Sequence, residues 1–196
     1  KYLGFSFHDD LEVFFSIMDS YDKWDVILTQ MNYLDENYKS GLAGLDFVAS
    51  AGLANVIMEP LRGGSLIQNI PDEVHALWDG ADKKRNPVEW AYEYLWDKPM
   101  VHSVFSGMSN LEQVKDNISF MTDFQPLNPE ELAAVDYAKA LLQAQNRKWS
   151  LQKLRKRKRK NPQYDRRGNK KITAELQAHC SYKTFEKHKR KNIIAT

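Results

Sequence analysis

Residues 101–117 read VHSVFSGMSNLEQVKDN. Val101 to Phe105 is a short apolar strand and Ser106-Gly107-Met108-Ser109 a small-residue turn. A helix follows, with Asn110 or Ser109 as N-cap and apolar residues at Leu111, Val114 and Ile118. A strand that turns through Gly and Ser into a helix aims free backbone N–H groups and the positive helix end at one point, an arrangement that binds phosphate. Most strand–turn–helix units bind nothing, so the stretch fixes architecture before it fixes function.

The same alternation runs upstream. Tyr2 to Ser6 is a short apolar strand, and Asp9 or Asp10 then caps a helix with Leu11, Phe14, Phe15 and Met18 on one face. Val26 to Met31 (VILTQM) is the near-continuous apolar run of a strand buried on both faces. A helix over 42–51 ends at Gly52, a C′ glycine, and Ala54 to Met58 is the next strand. Helices are predicted over 72–80 and 87–96, the second with Pro87 in its first turn, where a missing N–H costs nothing. A last helix, 129–145, opens on Asn128-Pro129-Glu130-Glu131.

Four strands alternating with helices imply parallel β/α units with right-handed crossovers. No G-x-G-x-x-G follows the first strand, so the dinucleotide fingerprint of a doubly wound sheet is absent. The other parallel architecture is the eight-stranded barrel, whose functional residues sit at the C-terminal strand ends. Those ends carry Ser6-Phe7-His8, Gln30-Met31-Asn32-Tyr33, Glu59-Pro60-Leu61-Arg62-Gly63-Gly64 and Ser106-Gly107-Met108-Ser109. The expected fold class is therefore α/β, a parallel (β/α) half-barrel.

Composition bounds the rest. At 196 residues and 42% hydrophobic content, one domain with a sizeable core is possible. No apolar run approaches the roughly 20 residues that span a bilayer, which points to a soluble, cytoplasmic protein without a membrane partner. The start, Lys1-Tyr2-Leu3-Gly4, is neither a signal peptide nor an initiator Met, and is expected to lie inside a longer chain. Cys180 is alone, which excludes a disulfide framework.

Charge divides the chain sharply. Residues 1–146 carry 10 Lys/Arg against 23 Asp/Glu, and residues 147–196 carry 18 against 3. One folding unit rarely segregates charge this way, so a boundary is placed near Asn146. The expected divisions are a half-barrel over 1–126, its C-terminal helix over 127–146, and a basic tail over 147–196, helical or disordered. Six consecutive basic residues, Arg155 to Lys160, favour disorder by self-repulsion. The tail is read first as an extension foreign to the barrel, such as a shifted reading frame produces. A nucleic-acid-binding arm, with Trp149 and Tyr164 to stack on bases, is the second reading, and a short helix docking on the body the third.

The strand-end motifs resemble the aldo/keto reductase family, in the subgroup that usually ends in a ferredoxin-like 4Fe-4S segment. Leu3-Gly4-Phe5-Ser6-Phe7-His8-Asp9 resembles the family's fifth strand, Gln30-Met31-Asn32-Tyr33 its sixth and Met58 to Gly64 its seventh. Ser106 through Gln113 and Asn117 resembles the eighth strand with its cofactor-phosphate helix. The match runs in family order to about residue 145. It implies the last four strands of the barrel and an NAD(P)-dependent oxidoreductase, transferring hydride between the cofactor and a carbonyl or alcohol.

Carried over residue by residue, the resemblance implies that Ser6 and Gln30 hydrogen-bond the nicotinamide carboxamide, with Met58 beside the ring where many relatives stack a tyrosine. The loop of Pro60, Leu61, Gly63 and Gly64 would cover the pyrophosphate. Gly107, Met108 and Ser109 would meet the adenosine phosphate, and Gln113 and Asn117 would reach the adenosine end. Plainer readings stand beside these: Gln30 as a strand-end hydrogen bonder, Gly63-Gly64 as a turn, Gln113 as a solvated position. Phe7 stands where many relatives carry Asn. Gly107 and Gln113 replace the basic groups that often clasp a 2′-phosphate, which leaves NAD against NADP open.

The family's catalytic Asp, Tyr, Lys and His come from its first four strands and have no counterpart here, so no catalytic residue is assigned and the chain alone is expected to be inactive. The expected partners are a nicotinamide cofactor and either a missing N-terminal half-barrel or a second copy of the chain. His8 is expected to cap or pack, and Asp9, Asp10, Asp35 and Glu36 to be helix-start or loop carboxylates. Cys180 with His179 and His188 makes neither a cluster site nor a zinc site, so no metal and no iron–sulfur cluster are expected.

Overall fold

The computed structural model describes the backbone of residues 1–160 and the side chains of residues 1–146. Element order is β1 (Gly4–Phe7), α1 (Leu11–Ser20), β2 (Val26–Gln30), α2 (Gly41–Ser50), β3 (Ala54–Met58), α3 (Asp72–Asp79), α4 (Pro87–Trp96), β4 (Ser103–Val104), α5 (Leu111–Thr122) and α6 (Pro129–Lys160). All pairings are parallel and the sheet order is β1-β2-β3-β4, as a run of β/α units in a half-barrel requires.

The two faces of the sheet differ. Phe7, Ile27, Thr29, Asn55 and Ile57 are buried on the side where the helices pack. Phe7 and Ile27 meet Phe14 and Phe15 of α1 and Val48 of α2. Ile57 joins the larger core with Leu45, Trp78, Trp90, Leu95, Val135 and Ala138. On the opposite side the register lines up Ser6, Leu28, Val56 and Ser103, with Gln30 beside Met58. No strand residue on that side is buried. An all-parallel sheet normally has both faces covered, so this face has the character of a barrel interior opened along its length.

Local signals set the element ends. Asn86 Oδ1 accepts from the N–H groups of Val88 and Glu89, with Pro87 at N1. Asn128 and Glu131 close a reciprocal capping box on α6, each side chain taking the other's N–H. Helix α2 ends in a Schellman motif: Gly52 at φ 72 donates to Ala49, and Leu53 donates to Val48. Leu53 and Val48 then pack in the same cluster.

Two expectations change and a third is narrowed. The strand expected over 101–105 shortens to Ser103–Val104. Asn55 N–H turns to His102 Nδ1 at 3.1 Å, so a side chain replaces one rung of the backbone ladder. Asp10 occupies the N-cap of α1 but makes no side-chain cap bond. The basic run Arg155–Lys160, where self-repulsion favours disorder within a tail read as mostly helical or disordered, takes the helical of those two readings and continues helix α6. Lys, Arg, Leu and Gln are all strong helix formers, and propensity outweighs the repulsion there.

Residues Lys1–Ala144 form one compact unit and Gln145–Thr196 a second. In the second, residues 145–160 are helical. The expectations for the ring of Trp149 and for Tyr164, His179, Cys180 and His188 fall outside the described residues. Among the described residues no helix is long and apolar enough to cross a membrane, and no group of three or more His, Cys, Asp or Glu is placed to hold a metal.

Candidate functional site

The C-terminal ends of β2 and β3 carry a hydrogen-bonded cluster centred on Asp35. Its carboxylate is 7% exposed, and Oδ2 accepts from Asn32 Nδ2 at 3.0 Å and Gln30 Nε2 at 3.4 Å while pairing with Arg62 Nε at 3.2 Å. Asn32 is fully buried; its Oδ1 takes the N–H groups of Leu34 and Asp35, and its amide also donates to Glu59 O at 3.2 Å. Lys39 Nζ donates to Gln30 Oε1 at 3.3 Å. Both ends of the Gln30 amide are therefore engaged within the loop.

The loop after β3 is held in a demanding conformation. Glu59 (φ 59) and Arg62 (φ 51) are left-handed although neither is glycine, and Gly63 and Gly64 follow at φ 61 and 83. Non-glycine residues there cost about 1 kcal/mol or more each, and they persist only where neighbours fix them. The fixing contacts are Asn32 on Glu59 O, Asp35 on Arg62, and Leu66, which is 1% exposed in the core. Tyr33, also in the core, donates to Leu66 O at 3.4 Å, and burial pushes its hydroxyl well above the usual tyrosine range.

The β4–α5 end is built otherwise. Asn110 Oδ1 accepts from Gln113 N–H at 2.9 Å, which settles Asn110 as the N-cap. Gln113 Oε1 reaches back to the Ser109 N–H at 2.8 Å and its hydroxyl at 3.2 Å. Ser106 Oγ is shared by Tyr92 OH at 2.6 Å and Asn117 Nδ2 at 3.0 Å, tying the turn to α4 and α5. Burial raises the Tyr92 hydroxyl's pKa, against the lowering effect of those hydrogen bonds. Gly107, Met108 and Ser109 are exposed, and α5 buries no residue.

Placed in this frame, the eleven expected site residues fall into two groups. Ser6, Gln30, Met58, Pro60, Leu61 and Gly63 sit on β1 to β3 and the following loop; Gly107, Met108, Ser109, Gln113 and Asn117 sit at β4–α5. Ser6 and Gln30 are not side by side. Leu28 stands opposite Ser6, and Gln30 lies one pleat further, opposite Met58. Pro60 is buried, while Ser6 and Gly63 are exposed. Asn117 serves Ser106 here, and Gln113 serves Ser109.

Sequence reasoning passed over Asp35 and Arg62, treating the first as a loop carboxylate. The two meet across the loops after β2 and β3, the same span that Asn32 crosses to reach Glu59 O 27 residues away, so no local pattern marks the pair. Glu36 is likewise more than a loop carboxylate. It accepts from Tyr94 OH, and from Lys139 Nζ on α6 at 2.6 Å. His8, expected to cap or pack, is exposed, and among the described residues its side chain makes no hydrogen bond.

A second cluster fastens α4. Arg85, with its side chain 1% exposed, pairs with Glu93 at 2.5 Å and with Glu131 of α6, and lies 4.8 Å from the centre of the Trp90 ring. Lys83 adds Glu93 at 2.5 Å and Glu89 at 3.1 Å. Burial opposes the charge of both cations, but hydrogen bonds to the glutamates outweigh it, so both pKa values rise. Every strong partner in this cluster is a charge of opposite sign, the signature of a fastening rather than of acid–base chemistry.

Comparison with known proteins agrees with this fold. Residues 1–140 match the profile of the aldo/keto reductase family. Among solved structures, the aldo-keto reductase AKR11C1 of Bacillus halodurans, holo form, is 21% identical with a TM-score of 0.54, over 70% of this chain and 49% of that one. Its apo form gives 21% and 0.54, over 70% and 50%. The thermostable aldo-keto reductase Tm1743, in complex with the inhibitor epalrestat, is 18% identical with a TM-score of 0.53, over 70% and 48%. The chain thus spans about half the length of the solved structures it matches. A search of curated proteins returned no match.

Proposed function

The chain belongs to the aldo/keto reductase family, a family of oxidoreductases, and from that premise we propose that residues 1–140 are the cofactor-binding half of such an enzyme. The ligand is a nicotinamide dinucleotide, NADH or NADPH, lying across the C-terminal strand ends. The observation that carries this reading is the loop Glu59–Gly64, held left-handed at four positions at the edge where the other strand-end residues collect. Strained, over-determined backbone of this kind is characteristic of ligand sites.

The donor set suits the group. Ser6 offers a neutral hydroxyl for a carboxamide, Gly63 and Gly64 allow close backbone approach, and the α5 N-terminus supplies N–H groups for a phosphate. The bound nicotinamide supplies the hydride. The chain's own residues orient it: Met58 packs at the ring, and the loop covers the anionic middle. The reading assigns no catalytic acid–base set to this chain and takes the chain alone as inactive. The open sheet face is completed by further strands, from an N-terminal half-barrel or from a second copy. Residues 147–196 form a separate basic arm, with weak, salt-sensitive binding to nucleic acid as its second reading.

The test is an NADH titration of the purified chain by fluorescence, repeated with Ser109→Ala and Gln30→Ala. Micromolar-to-millimolar binding that Ser109→Ala weakens severalfold is the expected result, with no aldehyde turnover. Because the Gln30 amide is committed to Asp35 and Lys39, its loss is expected to matter through the loop as well as through the ring. Failure of the wild-type chain to bind NADH or NADPH overturns the reading.

A further inference from the structure

We propose that Arg62 is an anion-binding residue for the dinucleotide and that Asp35 is the residue that positions it; this rests on the cofactor reading above. Residues 1–146 carry a large excess of acid, 23 Asp/Glu against 10 Lys/Arg. Two of those ten cations, Lys39 and Arg62, nevertheless stand at the C-terminal ends of β2 and β3, where an anionic ligand would have to overcome the surrounding negative charge.

Asp35 Oδ2 and Arg62 Nε form an ion pair at 3.2 Å, and among the described residues the two terminal guanidinium nitrogens make no hydrogen bond. A guanidinium held by one edge keeps its remaining N–H groups in a fixed fork, which suits two oxygens of a phosphate or pyrophosphate. Arg62 is itself left-handed, φ 51, with its N–H on Glu59 O at 3.0 Å and with Gly63 and Gly64 next in the chain. Its backbone is therefore fixed. The carboxylate that holds it is in turn immobilised, nearly buried between Gln30 and Asn32.

The arrangement gives Arg62 and Asp35 distinct roles. Arg62 meets the ligand; Asp35 acts through it and never touches the ligand. Its charge holds the guanidinium at the strand ends. A plain structural role for Asp35 would stabilise the fold without discriminating among ligands. A role exerted only through the Gln30 amide would act on the nicotinamide end and leave the pyrophosphate end untouched.

ADP-ribose separates these roles, because it carries the pyrophosphate and lacks nicotinamide. NADH is titrated by fluorescence and ADP-ribose by displacement of NADH, against wild type, Asp35→Asn, Arg62→Gln and the double variant. Far-UV circular dichroism and urea midpoints run in parallel. Each single change is expected to weaken both ligands about tenfold, the double little more than either, with loss of part of the salt dependence in Arg62→Gln. Arg62 is 39% exposed at its side chain, so Arg62→Gln retains the fold even where Asp35→Asn loosens it. NADH and ADP-ribose affinities unchanged in Arg62→Gln overturn the inference while leaving the cofactor reading in place. ADP-ribose affinity unchanged in Asp35→Asn, with NADH weakened, overturns the positioning role. Absence of NADH binding by wild type overturns the cofactor reading and this inference together.

Discussion

The two ends of the candidate site are built to different standards. At β2 and β3 the loop is locked by a buried carboxylate, a buried amide and core residues such as Leu66. At β4 the strand has two residues, and α5 buries none of its side chains. Leu111, Ile118 and Met121 of α5 are 60% or more exposed, and Phe105 is 58% exposed. This end is held by local capping and the shared oxygen of Ser106, with Lys83 Nζ on Asp123 O at 2.9 Å and the Trp96 ring against Phe124 just past α5. A rigid end and a loosely attached end within one site mean that most of the preorganisation resides near β3, while α5 can adjust.

The largest effect should come from breaking what both ends depend on. Helix α4 carries Glu93, which neutralises Arg85 and Lys83, and also Tyr92, which holds Ser106. Glu93→Ala leaves buried cations short of a partner and is expected to cost about 3 kcal/mol in urea unfolding. A cost below about 1 kcal/mol would show that α4 is not the shared anchor.

Alkaline pH should act next, and on the rigid end. Tyr33 and Tyr94 are held well above the usual tyrosine range, Tyr33 by burial, Tyr94 by burial and then by its hydrogen bond to Glu36. The stability they contribute is fully present below the unfolded value of about 10 and falls as pH rises above it, because unfolded tyrosine ionises while the folded hydroxyl does not. One pH unit above that value the pair should account for about 2.8 kcal/mol. Tyr33→Phe/Tyr94→Phe should flatten the alkaline limb of a stability–pH curve, and an unchanged limb would assign it elsewhere.

Tyr92→Phe sharpens the comparison at the loose end. Loss of the bond to Ser106 should cost about 1 kcal/mol and speed amide exchange across 106–122, while the β2–β3 amides keep their protection. Equal loss of protection at both ends would mean that they open as one unit. The smallest effect belongs to Ile118→Lys, exposed on α5, expected to change stability by less than about 0.5 kcal/mol. A loss above about 2 kcal/mol would show that this surface is covered in solution.

Much of the fold was legible because its signals are local. The alternation of strands and helices, Pro87 at a first turn, the Asn128 start and Gly52 at a helix end each depend on a few adjacent residues, and each is realised in the structure. The family was legible for the same reason, since its motifs lie at strand ends in chain order. The short β4 was not, because a side chain from His102 takes the partner that a longer strand would have used. Asp35 was not, because what makes it matter is a meeting of Gln30, Asn32 and Arg62 that exists only after the sheet has formed. For Arg155–Lys160 the sequence left helix and disorder both open, since charge repulsion and helix propensity oppose each other there, and the run continues α6.

The order of the sheet also says how the chain is assembled in time. Spatial order equals chain order, so each strand docks on the one made immediately before it. During synthesis the growing sheet always offers its newest edge to the next strand to emerge, but the waits are unequal. Gly4 meets Val26 and Val26 meets Ala54, but Val56 must wait through α3 and α4 for Ser103. Closing that longest loop is the step most exposed to delay. Until it closes, the β3 edge that later receives β4 is the surface most open to mispairing and chaperone capture on the ribosome.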